Sequence, residues 1–152
     1  FQNRAARGND RYAVTAKKEG VEWESENMLI LGGCILGFLV LHLYHFWFHM
    51  QFAEIAHIKF DIDPTNGAEW VKYTFTTPVW GQVYCVLYLV WLTVLFLHLN
   101  HGVWGALHTL GWNNLVWMKR IKVLGSCVAF LAVLPFMVVV LYYLGVGIGM
   151  LL

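Results

Sequence analysis

The sequence predicts an all-α protein, a transmembrane helix bundle with three spans. Two observations predict it. Hydrophobic residues make up 59% of the 152 residues and charged residues only 12%, where a soluble domain carries about 25% charge. The charges are also clustered. Ten of the nineteen fall in residues 1–26, six lie between Glu54 and Lys72, and the last three are Lys119, Arg120 and Lys122. With a net charge of +1 and a mean hydropathy of +0.59, a disordered chain, a collagen and a basic nucleic-acid binder are excluded.

Three charge-free intervals set the elements: 28–53, 73–118 and 123–152. A span needs about 20 mostly apolar residues, so the first and third intervals hold one helix each. The middle interval is long enough for two, but it starts on the polar, β-branched Tyr73-Thr-Phe-Thr-Thr-Pro78, and proline disfavours helix at the residue before it. It ends on Gly111-Trp112-Asn113-Asn114, a helix-stop glycine followed by turn formers. One uninterrupted helix remains between them. The expected order is a cytoplasmic loop and helix start (1–27), a span (28–56), an external loop (57–78), a span (79–111), a cytoplasmic loop (112–122) and a span (123–152).

Residues 1–26 are polar and mixed in charge, without the apolar stretch of a signal peptide. The acidic group Glu19, Glu22, Glu24 and Glu26 suits a helix N-terminus, so the first helix is expected to begin near Val21. The chain opens on Phe1 inside what reads as a loop, and a preceding segment is expected. Eight Lys/Arg lie on the side of the N-terminal segment and of 113–122, against Lys59 and Lys72 on the other. The positive-inside rule then places the N-terminal segment in the cytoplasm and the C-terminus outside. Trp23, Trp70, Tyr73, Trp80, Trp112 and Trp117 crowd the borders as an aromatic belt. Cys34, Cys85 and Cys127 lack ligand spacing and read as small apolar fillers.

Histidine is the ionisable group left inside the spans. His42, His45 and His49 fall in the first, and His98, His101 and His108 in the second. At about 100° per residue each trio forms a stripe on one helix face. A single intramembrane histidine reads as an interhelical hydrogen-bonder; two stripes read as ligands looking into one interior. Helix-borne imidazole is a strong haem-iron ligand. Gly102 and Gly105 lie on the His98 face, where a porphyrin needs room, whereas Gly33 and Gly37 lie well away from His42. Every Asp and Glu is in a loop or at a helix end, which weakens a di-iron carboxylate site and a proton pump using buried acids. No phosphate loop, Ser-His-Asp set or paired-Cys motif occurs. An electron-carrying haem site is the simplest chemistry left. Two rivals stay open: a haem-free structural membrane subunit of a respiratory complex, and a non-haem iron membrane oxidase or desaturase suggested by His42-x-x-His45-x-x-x-His49 and His98-x-x-His101.

The run Leu41-His42-Leu43-Tyr44 resembles the His-Leu-Tyr element in the third helix of the single-chain, two-haem, five-helix cytochrome b subunit of bacterial succinate dehydrogenases and fumarate reductases. Phe96-Leu97-His98-Leu99-Asn100-His101-Gly102-Val103-Trp104, continuing to Leu110-Gly111-Trp112, looks like that family's fourth helix, with a ligand histidine four residues before a glycine. Gln2-Asn3-Arg4-Ala5-Ala6-Arg7-Gly8-Asn9-Asp10-Arg11-Tyr12 is similar to the loop leaving the second helix of the bacterial members. The resemblance runs over nearly the whole chain and covers the last three helices of five.

The resemblance implies a respiratory complex II electron-transport subunit that does no bond-making chemistry of its own. His98 matches the iron ligand of the proximal haem b and His42 that of the distal one. The second axial ligand of each would come from the two missing N-terminal helices or a second anchor chain. It further implies flavoprotein and iron-sulfur partner subunits, membrane quinone as substrate, and a place in the bacterial inner membrane. In some quinol-oxidising members a glutamate two residues before the proximal ligand carries protons; Phe96 stands there, so no such path is expected. His45, His49, His101 and His108 match no ligand position. Lys119, Arg120 and Lys122 are left between contact with the iron-sulfur subunit, contact with a haem propionate and a plain positive-inside anchor. In the third span Phe130, Phe136, Tyr142 and Tyr143 read as packing, and Pro135 as a kink.

Overall fold

The computed structural model describes residues 23–112 and 114–149. The expected helix start near Val21 and the 1–22 segment lie outside them. A single turn, Trp23–Glu26, is followed by four helices: α1 (Met28–Ile55), α2 (Gly67–Thr76), α3 (Trp80–Thr109) and α4 (Leu115–Gly147). No strand occurs among the described residues. The fold is all-α, and three helices are long and apolar enough to cross a membrane: Met28–Ile55, Trp80–Thr109 and Val116–Gly147.

The outer half of α1 departs from a regular α-helix. Leu43–Phe52 winds as a π-helix, whose i→i+5 bonds widen the turn. Its Ala53 N–H reaches the Phe48 carbonyl. A period of 3.6 therefore holds only as far as His42.

The segment expected as an external loop holds the short helix α2. The Asn66 side chain accepts from the Glu69 N–H (3.2 Å) and donates to the Glu69 carboxylate (2.9 Å), a reciprocal cap that satisfies the first turn. Before it, Asp63 ties the loop. Its Oδ1 accepts from the Thr65 N–H and hydroxyl (2.9 and 2.8 Å), and its carbonyl accepts from the Trp70 indole (3.2 Å). These bonds hold the exposed Asp63 carboxyl below the usual carboxylate range. Trp70, Thr74 and Phe75 turn inward.

Thr77, extended at φ −54°, ψ 130° as a residue before proline should be, ends α2. Val79 then sits at φ 66°, ψ −53°, and the Trp80 N–H donates to the Pro78 carbonyl (2.8 Å). That is a strained γ-turn, costly for a β-branched residue. It delivers Gly81 directly against α2, where a Cβ would collide with the Phe75 carbonyl.

α4 begins at Leu115, so Lys119, Arg120 and Lys122 lie on its first two turns and not in the expected 112–122 loop. The Asn114 side chain caps it by accepting from the Val116 N–H (2.8 Å). The helix continues through Pro135. Gly125 lets α4 approach the Trp104 backbone, and one turn of interface is tied by the Ser126 hydroxyl donating to the Asn100 side-chain oxygen (2.6 Å). Small residues and single polar pairs of this kind are how helices associate in lipid.

The core, Phe75, Cys85, Tyr88, Trp91, Leu92, Val133 and Val140, sits toward the α2 end of the bundle. Cys85 is a buried filler, whereas Cys34 and Cys127 are exposed. The packing expected of the α4 aromatics holds for Tyr143, which stacks on Phe75 (6.0 Å), but Phe130, Phe136 and Tyr142 face outward. Only 11% of the most apolar stretch of α1 is buried, against 22% for α3 and for α4. α1 thus keeps the most surface for lipid or further helices.

Candidate functional site

α1 and α3 run antiparallel and share one register. At one end Gly102 faces Met28 and His98 faces Gly32, whose Cβ would stand 3.6 Å from the His98 Cε1. Further along, the His42 ring packs against Tyr88 and Trp91 of α3 (centroids 6.2 and 5.3 Å) and against Phe46 (5.1 Å). Leu31, Ile35, Phe38, His42 and His45, at spacings of four and three, form the inward-facing line of α1. His42 and His98 both lie on this α1–α3 face at two levels. Ten residues of α1 separate Gly32 from His42, about 15 Å along the axis.

Of the remaining histidines, His45 continues the α1 line and His49 leaves it. His45 is buried and its Nδ1 shares a hydrogen bond with the Tyr88 hydroxyl (3.2 Å). One turn on, the π winding carries His49 away, where its Nδ1–H donates to the Tyr44 carbonyl (2.8 Å) and its ring meets Phe60 and Trp70. His101 packs on Trp104 (4.7 Å), and His57 and His108 are exposed. Each stripe thus divides between interfaces. Among the described residues no three His, Cys, Asp or Glu side chains converge as metal ligands.

Sequence reasoning missed Tyr84, Tyr88 and Trp91. They repeat at spacings of four and three on the α3 face that meets α1 and stack against His42 and His45. That aromatic periodicity was a readable signal, hidden inside a uniformly apolar run.

Imidazole is a haem-iron ligand by chemistry, but the buried Nδ1 atoms of His42 and His98, which have no hydrogen-bond partner among the described residues, share that state with the Trp91 indole, and Gly32 stands opposite His98. The enclosed space is smaller than haem needs. Beside His42 an apolar cavity of about 270 Å³ is lined by Phe46, Phe75, Tyr88, Trp91 and Leu92 among others, and ligand pockets begin near ~300 Å³. A macrocycle would need further walls from outside the described residues.

By fold the chain is an α-helical membrane protein with three candidate spans. In comparisons with protein-family models, curated proteins and solved structures, none matches it.

Proposed function

We propose that this chain is a haem b-carrying membrane anchor of the succinate:quinone oxidoreductase kind. It would pass electrons between an iron-sulfur subunit and membrane quinone. The observation that carries the reading is the placement of His42 and His98 on one helix–helix face, at two levels about 15 Å apart, each with a buried ring nitrogen unpartnered. A stack of two ligands across a span is what a transmembrane electron path requires. The resemblance of His98–Trp112 and Leu41–Tyr44 to the two-haem family supports it as well.

Haem b, when bound, supplies reversible one-electron iron chemistry. His98 and His42 would each offer one ring nitrogen to the iron, and further ligands would have to come from outside the described residues. At the His98 level Gly32 meets the imidazole itself and Gly102 meets Met28, while Tyr88, Trp91 and Phe46 pack around His42. Phe96 stands where some quinol-oxidising members of the family carry a proton-transferring glutamate, and by that resemblance electroneutral quinone chemistry is the reading. In this reading the protein resides in the bacterial inner membrane with its C-terminus outside, beside flavoprotein and iron-sulfur subunits. The test is a reduced-minus-oxidised visible spectrum of the intact complex. A low-spin haem b spectrum is expected. Its absence would leave a haem-free structural subunit, with the histidines as glue between helices.

A further inference from the structure

At the turn between α3 and α4 lies a cavity of about 490 Å³, far from His42. Trp112, Trp117, Ile121 and Leu124 make most of its lining, and Arg120 and Asn114 also border it, but its surface is wholly apolar. On α4 the residues Trp117, Arg120, Ile121 and Leu124 follow at spacings of three, one and three, so they share one face. They are also ordered by depth. Trp117 stands nearest the helix start, Arg120 one turn deeper, and Leu124 about 10 Å beyond Trp117. The Arg120 guanidinium lies over the Trp117 ring at 4.8 Å. That stacking holds a planar, always-charged fork beside the cavity.

We propose that this cavity takes an acyl chain of one anionic glycerophospholipid, along Ile121 and Leu124, with the lipid phosphate outside it on the Arg120 guanidinium. The apolar surface of the cavity suits an acyl chain, and the guanidinium held over Trp117 beside it suits a phosphate. Basic pockets between spanning helices recognise anionic headgroups in this way. Lys119 raises the local positive potential, and Lys122 is held over Trp104 (4.4 Å), outside the cavity lining. A partner protein's acidic side chain would satisfy Arg120 but leave the apolar floor unfilled, and this favours lipid. The proposal is independent of haem binding.

The test titrates the detergent-solubilised full chain with phosphatidylglycerol and with phosphatidylethanolamine, reading bound lipid by native mass spectrometry. Phosphatidylglycerol should be retained preferentially. Arg120→Gln should lower its retention about tenfold, the factor expected of one charge-assisted contact. Leu124→Trp, which fills the floor and keeps the charge, should lower it too, and Lys119→Gln should not. Equal retention of the zwitterionic lipid, or retention unchanged in either cavity variant, would overturn the proposal. A loss with Lys119→Gln as large as with Arg120→Gln would reduce the effect to diffuse charge and overturn it equally. So would displacement of the lipid by inorganic phosphate alone, which would mark a free-phosphate site.

Discussion

Gly32 gives the sharpest handle on the His98 level. A Cβ there would stand 3.6 Å from the His98 Cε1, ordinary van der Waals contact, so Gly32→Ala should be accommodated without moving the ring. Gly32→Leu adds three further carbons beyond that contact, in the direction of the imidazole. Overpacking of this kind costs about 1–3 kcal/mol, which shifts the position of the ring by roughly 5- to 150-fold in population. If His98 is an axial ligand, the Leu variant should lose one of two haems per complex while its helical circular dichroism is retained. The Ala variant should keep both. Haem content per mole of complex, read from the reduced-minus-oxidised spectrum, is the assay. Full haem content in the Leu variant would refute the reasoning, as would loss in the Ala variant.

Three further outcomes follow from the fold. Gly81→Ala gains up to about 1 kcal/mol of helix propensity, but its Cβ meets the Phe75 backbone carbonyl, which cannot rotate away. A net loss of about 1–3 kcal/mol is expected, seen as a lower melting temperature in detergent. Ser126→Ala removes the bond to Asn100 and should cost about 0.5–1.5 kcal/mol, the range of polar pairs between helices in lipid; thermal unfolding of the variant checks it. The Asp63 carboxyl is held below its usual range by Thr65. Its contribution to loop order is therefore present above the ordinary carboxylate pKa and lost as pH falls through the lowered value. Faster amide exchange at Thr65 and Asn66 in acid, absent from Asp63→Asn, is the expected signature.

The spans were legible because charge cannot hide in a bilayer. The intervals free of Asp, Glu, Lys and Arg contain α3 and nearly all of α1, which begins at Met28. The start of α4 was not legible from the same rule. Lys119, Arg120 and Lys122 were expected in a loop, yet cations on the first turns of a helix reach outward and lie over Trp117 and Trp104. A cluster of charges marks the edge of the lipid, not the end of the helix. α2 was masked by its threonines and by Pro78, although Asn66 and Glu69 stood at capping-box spacing across its start. The candidate site was legible in part. His42 and His98 do meet the same interface, but the stripe argument assumed one period throughout, and the π winding from Leu43 redirects His49. No pattern of side chains announced that change of period.

Haem stoichiometry in two single-ligand variants of the intact complex tests the central claim most directly. Replacing His98 by alanine should remove one low-spin haem b and leave the other, and replacing His42 should remove the one that His98→Ala spares. Retention of both haems in either variant would contradict the account, as would loss of the same haem in both.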